Sequence, residues 1–392
     1  MVRRCSAPQW RPAGAGAVKI AIVSPESPPD LGGIETYAWE YTRELAKRGH
    51  DVTLYTRPHV RDRISLEGVE LRPVLRQHLT LDRRAFDGCE ADVWHAMNAA
   101  YAWLALDGRK TVVSVHGNDF LRPYIPFAAH DWSTLPLLWR MNTWRPAWLR
   151  ARHLRRSASL AGDALPRCHH LMANSRYTEA ALLQKYPGCR GKTSVAWVGV
   201  GADFFSVPRR PASDGLTRLL TVCRLSEPRK NVDAVLQALA RLAPHFQFRY
   251  TIVGEGLDRL RLQALSNRLG LAARVRFTGA LPREQLLEHY ADADLMVLAA
   301  SILPGSHEGF GIVYLEAAAA GVPSLAARLA GAAEAVEDGV SGFFVDNPEQ
   351  EALGEALGAY FRGEQRFDAE ACRAFARRHT WDKVVDHVLQ YY

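Results

Sequence analysis

Apolar positions in the first half of the chain switch between two periods. The β-branched run at residues 18–25, "VKIAIVSP", reads as a buried strand. A glycine-bearing loop follows. Then "TYAWEYTRELAKRG" carries helical spacing as far as Gly49, a natural helix stop. Further strand-like runs are "DVTLYTR", "ADVWHA", "KTVVSVHG", "HHLMANS" and "TSVAWVGV". Strands separated by helical patterns predict a parallel sheet wrapped by helices.

The polar, proline-bearing segment 207–215, "VPRRPASDG", interrupts this pattern, and the alternation then restarts. "RLLTVCRL", "FRYTIVGEG", "RVRFTGAL", "DLMVLAAS", "PSLAARL" and "GFFVD" read as strands. "NVDAVLQALARLA", "LDRLRLQALSNRLG", "REQLLEHYADA" and "FGIVYLEAAAAG" read as helices or helix starts. The expectation is an α/β chain of two similar doubly wound halves with a cleft between them. In such sheets ligands sit beyond the carboxyl ends of the strands. We expect a first domain over 18–208, a second over 209–374, and a helical tail over 375–392 that crosses back to the first.

Composition narrows this picture moderately. The 392 residues are 48% hydrophobic and 23% charged, an ordinary globular balance, and the net charge of +7 favours anionic partners. Cys5, Cys89, Cys168, Cys189, Cys223 and Cys372 are scattered without a C-x-x-C, which argues against a disulfide scaffold or structural zinc site. Residues 1–17 are basic but lack the apolar core of a signal peptide, and no apolar run is long enough to cross a bilayer. The expectation is a cytoplasmic protein with a disordered start.

Candidate chemistry gathers at the strand ends. Gly32 and Gly33 open the loop after the first strand, where bare backbone amides can approach a phosphate. Their spacing is not that of a nicotinamide fingerprint. His116 and Asp119 follow the strand at 111–115; a histidine there suits proton exchange near a sugar or phosphate, while a histidine taken singly is more often structural. Arg224 and Lys230 flank one strand–helix junction, a pairing suited to a diphosphate, or to a solvated basic loop. "IVGEG" brings Gly254 and Gly256, and "FTGAL" brings Phe277 and Gly279, whose exposed backbone would read a nucleobase edge.

The most informative stretch is "PGSHEGFGIVYLEAAAAG", residues 304–321. Gly309 and Gly311 permit a tight turn around Phe310, and the following helix offers its N-terminal amides to an anion. Glu308 stands outside that helix. Glu316 lies eight residues on, at most about 12 Å away at 1.5 Å per helical residue, which is the span from a hexose to the ribose of a nucleoside diphosphate sugar. Leu315 and residues 317–320 read as buried, so Glu316 needs a polar partner.

Glu308 and Glu316 match the E-x7-E motif, and the chain resembles the retaining nucleotide-sugar glycosyltransferases of the GT-B fold, the group that includes mannosyltransferases and glycogen-synthase-like enzymes. The resemblance runs from about residue 18 through "GGIE", "HGND", "ANSRYT", "VGVGADFF", "RLSEPRKN", "VGEG", "FTGAL", "SHEGFGIVYLEAAAAGVP" and "GAAEAVEDGVSGFFV". It implies two Rossmann-like domains, the second binding the donor. By resemblance Gly33 lies against the donor phosphates, with Gly32, Glu35 and Asp119 on the acceptor side. His116 stands beside the donor sugar, and Arg224 and Lys230 bind the diphosphate. Glu308 contacts the transferred sugar with Phe310 and Gly311, Glu316 holds the ribose, and Glu334 is a further recurring acidic position. Cys223 departs from the glycine often found before the arginine. The implied reaction is metal-independent front-face transfer of a hexose-type sugar, with no cofactor beyond the donor substrate.

Residues 120–160 are particular to this chain, with seven arginines, four tryptophans and one acid, Asp131. That makeup suits peripheral contact with the inner face of a membrane or with a lipid-linked acceptor, and equally suits helices that pack Trp inward and leave Arg solvated. Nucleic acid is not expected as a partner. The leading expectation is synthesis of a surface polysaccharide or lipid-linked glycan. The alternatives are a small soluble acceptor, or another enzyme on this scaffold such as a nucleotide-sugar epimerase.

Overall fold

A computed structural model describes residues 17–28, 32–58, 64–121, 147–210 and 215–392. The expected states of residues 1–16 and of most of the 120–160 segment lie outside the described residues. No described helix is long and apolar enough to cross a membrane.

The first sheet contains β1 (Lys19–Val23), β2 (Asp51–Thr56), β3 (Val69–Pro73), β4 (Val93–Ala96), β5 (Thr111–Val115), β6 (His170–Ala173) and β7 (Thr193–Val195). Its order is β3-β2-β1-β4-β5-β6-β7, parallel throughout. The second contains β8 (Thr217–Val222), β9 (Phe248–Val253), β10 (Val275–Gly279), β11 (Leu295–Leu298), β12 (Ser324–Ala327) and β13 (Gly342–Val345), in the order β10-β9-β8-β11-β12-β13. In each sheet the order reverses beside the first strand of the domain, β1 or β8, which opens a crevice at the carboxyl edge. The fold is therefore two Rossmann-like α/β domains.

Helices bury continuous apolar strands from both faces, as parallel sheets require. β4, β5 and β11 are buried along their whole length. β3 is a correction to the sequence reading, which had no strand there. Its residues are half-buried or exposed, as suits the edge of a sheet.

Helix Trp381–Leu389 packs on helix Gly33–Lys47 of the first domain. Trp381 meets Tyr37 edge-on at 5.3 Å. Arg48 fastens the other side, donating from Nη1 to Asp386 at 2.5 Å and from Nη2 to the Asp382 carbonyl at 2.7 Å. A single apolar cluster then includes Ile22 and Tyr41 of the first domain, Tyr314 and Phe310 of the second, and Trp381. The two sheets are thereby fixed with their carboxyl edges facing one another.

Candidate functional site

A cleft of about 770 Å³ lies between the two carboxyl edges. The first domain contributes Gly32 and Gly33 after β1, His116 and Asp119 after β5, and Asn174 after β6. The second contributes Arg224 and Lys230 after β8, Gly254 and Gly256 after β9, and residues 307–313 with Glu316 after β11.

The strongest electrostatic feature centres on Glu308. Its Oε2 accepts from Lys230 Nζ at 2.5 Å and from Arg229 Nη1 at 3.0 Å. Arg229, which the sequence reading passed over, also donates to Glu227 at 2.5 Å and is buried. The turn that buries it has a clear cause. Asn231 adopts φ 53, and its amide donates to the Ala299 carbonyl and to Ser301 Oγ, both at 2.7 Å. The Arg229 carbonyl accepts from the Ser301 amide at 2.7 Å. This "PRKN" turn is thus stitched to the end of β11, and its two cations converge on the carboxylate that leaves that strand. Burial alone would raise the Glu308 carboxyl, yet Lys230 and Arg229 overcome it and hold the group down at about 2. Glu308 is charged at neutral pH.

Arg224 does not join that cluster. It reaches across the cleft and donates from Nη2 to Glu35 Oε1 at 2.6 Å. Glu35 itself is buried, does not line the cleft wall, and leaves Oε2 without a protein partner among the described residues. Beside it, Gly33 has empty space where a Cβ would stand, so the start of helix Gly33–Lys47 is open to a ligand.

His116 is half-buried with its Nε2 out of solvent, and desolvation pushes its imidazole down to about 4, partly offset by the Met97 carbonyl. It is neutral at physiological pH, with Tyr37 edge-on at 4.7 Å and Nε2 lacking a protein partner among the described residues. Asn174 Oδ1 is unpartnered in the same way. Buried polar atoms are normally paired, and two that line one cleft suit a ligand with hydroxyls. Asp119 lines the cleft but spends its oxygens on the fold, accepting from the amides of Ala99 at 2.9 Å and His116 at 3.0 Å.

Glu316 sits on helix Ile312–Ala319, which Gly311 opens with φ 93. The partner its burial demands is Tyr290, whose hydroxyl donates to Oε2 at 3.0 Å. Burial raises this carboxyl to about 7, with Arg283 and Tyr290 opposing. Gly254 is required by backbone: a Cβ there would stand 1.9 Å from the Cys223 carbonyl oxygen. Burial also pushes the Cys223 thiol up to about 12, so it stays neutral at the end of β8.

Besides Glu35, two further expected residues do not line the cleft. Phe277 packs against the core of the second domain, and the Gly279 carbonyl is taken by the Gly254 amide at 2.9 Å. The register of β10 slips between them, so the wall is made by Ala280 and Leu281 instead.

Contacts between the domains set the cleft width. Glu334 accepts from the amides of Arg176 at 3.0 Å and Tyr177 at 3.1 Å, capping helix Arg176–Lys185 from the opposite domain, and from Trp197 Nε1 at 3.0 Å. Asn118 Oδ1 accepts from the His307 amide at 2.9 Å. Arg283 grips Asp203 with two bonds, the Nη2 one at 2.6 Å.

Known proteins share this arrangement. Residues 31–204 match the family described as Glycosyltransferase Family 4, and residues 208–379 the family described as glycosyl transferases group 1. A D-inositol 3-phosphate glycosyltransferase of Geodermatophilus obscurus is 28% identical over 427 aligned residues, covering 97% of this chain and 90% of its own. The sucrose-phosphate synthase of Thermosynechococcus elongatus superposes with a TM-score of 0.74 at 18% identity, over 95% of this chain and 98% of its own. Anabaena HepE, solved with UDP-glucose, gives 0.70 at 20% identity over 96% and 100%.

Proposed function

Because the chain belongs to the nucleotide-sugar glycosyltransferases of the GT-B fold, with a Family 4 half followed by a group 1 half, we propose that it moves a hexose-type sugar from a nucleoside diphosphate sugar to an acceptor hydroxyl with retention of anomeric configuration. One observation carries this reading: Glu308 is clamped by Lys230 and Arg229 just before helix Ile312–Ala319, in the same cleft that His116 lines with an Nε2 lacking a protein partner among the described residues.

The donor diphosphate lies between Lys230, Arg224 and the amides at the start of helix Ile312–Ala319. Arg224 exchanges Glu35 for phosphate oxygens as the donor enters. Charge develops on the departing diphosphate, and these cations stabilise it there. A carboxylate whose Oε2 is shared by two cations is a weak nucleophile, so Glu308 orients sugar hydroxyls rather than forming a covalent intermediate. The leaving diphosphate takes the acceptor proton on the same face, which retains configuration without a metal. Neutral His116 hydrogen-bonds the sugar, and Glu316 binds the ribose.

For the acceptor, the inositol-phosphate name of a relative aligned over 97% of the chain supports a small soluble polyol over a growing surface glycan. A screen of labelled UDP-, GDP- and ADP-sugars for hydrolysis, with and without polyols and glycans, tests both levels. Donor turnover that Lys230→Ala and Glu308→Ala abolish supports the site. Turnover unaffected by either variant, or release of an epimerised donor, refutes it.

A further inference from the structure

A second cavity, also of about 770 Å³, lies in the second domain away from the catalytic cleft. Its floor is one face of the sheet at β8, β9 and β10. Arg218 on β8 is directly opposite Arg249 on β9, and Thr251 on β9 is directly opposite Arg276 on β10. In-register residues of parallel strands project to the same side, and residues two apart share a face. Arg218, Arg249 and Arg276 therefore stand together on strands spaced about 4.8 Å apart. Arg274 lines the same cavity, fixed by a bond from Nη1 to the Phe246 carbonyl at 2.7 Å and lying over the Phe248 ring at 5.2 Å.

Among the described lining residues the arginines outnumber the acids. Asp292 is the one acid among the described lining residues, and it is already engaged by Arg210 Nε at 2.9 Å. The side chains of Arg249 and Arg276 make no hydrogen bond, ion pair or ring contact with any described residue. The charge of Arg276 reaches His289, whose imidazole is pushed down by burial and then by Arg276. Like charges side by side on neighbouring strands oppose folding, and salt screens them only in part. The fold tolerates that repulsion in a concave, arginine-lined space of ligand size. A guanidinium presents paired donors that match phosphate oxygens, and Arg249 and Arg276, one strand apart and offset by two residues on one face, suit a ligand with two adjoining phosphoryl groups.

We propose that this cavity is a second anion site that takes a small ligand bearing a diphosphoryl group, separate from the donor site. Two sources share that chemistry: inorganic pyrophosphate and a nucleoside diphosphate.

The test is equilibrium dialysis of the full chain with radiolabelled pyrophosphate at physiological ionic strength. The Arg224→Ala/Lys230→Ala variant, which disables the catalytic cleft, should keep one saturable equivalent. Adding Arg249→Ala/Arg276→Ala should weaken that equivalent at least about tenfold. Arg249 and Arg276 are exposed, so the variant folds; with the repulsion removed, it should melt no lower than its parent in ligand-free buffer. Displacement of the remaining label by UDP, GDP or ADP assigns the site to a nucleoside diphosphate, and failure of all three assigns it to inorganic pyrophosphate. Undiminished binding after loss of both arginines, or no saturable equivalent once the cleft is disabled, overturns the proposal. This outcome does not depend on the glycosyl-transfer reading, because the cleft is inactive in the parent variant.

Discussion

Replacing Glu308 by Gln keeps its size and removes its charge, leaving the buried Arg229 with Glu227 and Lys230 with no carboxylate among the described residues. The carboxyl falls from its ordinary 4.5 to about 2 in the folded chain. At about 1.36 kcal/mol per pH unit, that fall corresponds to roughly 3 kcal/mol of stability near pH 7. Because the folded value is depressed, the contribution is present above the unfolded value and lost as pH drops through the folded one. Linkage gives about 2 kcal/mol remaining near pH 3.5. Urea unfolding of wild type and Glu308→Gln, followed by circular dichroism at both pH values, should show a gap of about 3 kcal/mol that shrinks to about 2. A gap below about 1 kcal/mol near pH 7, typical of a surface pair, refutes the reasoning, as does one that ignores pH.

The carboxyl of Glu316 moves the opposite way, up to about 7, so its contribution is present below 4.5 and lost as pH rises through 7. Glu316→Gln escapes this loss and should gain roughly 3 kcal/mol on wild type between pH 4 and pH 8 in thermal unfolding. Gly309→Ala would place a Cβ 2.3 Å from the His116 carbonyl oxygen and 2.6 Å from the Asn174 side chain. It should push the domains apart and cost at least about tenfold in kcat with the circular dichroism spectrum unchanged, about 1.4 kcal/mol in the barrier. Glu334→Ala deprives two helix-start amides and the Trp197 indole of their acceptor. It should cost about 1–3 kcal/mol and raise the radius of gyration measured by solution scattering as the domains separate.

The periodicity of the chain carried most of the fold, because buried parallel strands are near-continuous apolar runs and their helices end at glycines. β3 escaped that logic: an edge strand pairs on one side, so "VELRP" keeps polar residues that blur the pattern. At the site, the need of Glu316 for a partner was legible from its apolar neighbours, but the partner was not, since Tyr290 lies on another helix. Arg229 was hidden beside Lys230. What separates a buried clamp from a surface cation is the left-handed turn at Asn231, and sequence spacing does not reveal it. Phe277 and Gly279 were misplaced for a related reason: the slip in β10 moves the cleft wall on to Ala280 and Leu281. Asp119 drew notice beyond a strand end, and Glu35 through the family resemblance. The structure gives Asp119 to loop amides and Glu35 to Arg224.

The account rests on transfer from the face of the donor that the diphosphate leaves, in a cleft where Lys230 and Glu308 act together. Its most direct test is the anomeric configuration of the product, read from proton NMR coupling constants when wild-type protein turns over an α-linked nucleotide sugar. The account predicts an α-linked product, formed at a rate that Lys230→Ala lowers by orders of magnitude. A β-linked product, or an α-linked one formed as fast without Lys230, would contradict it.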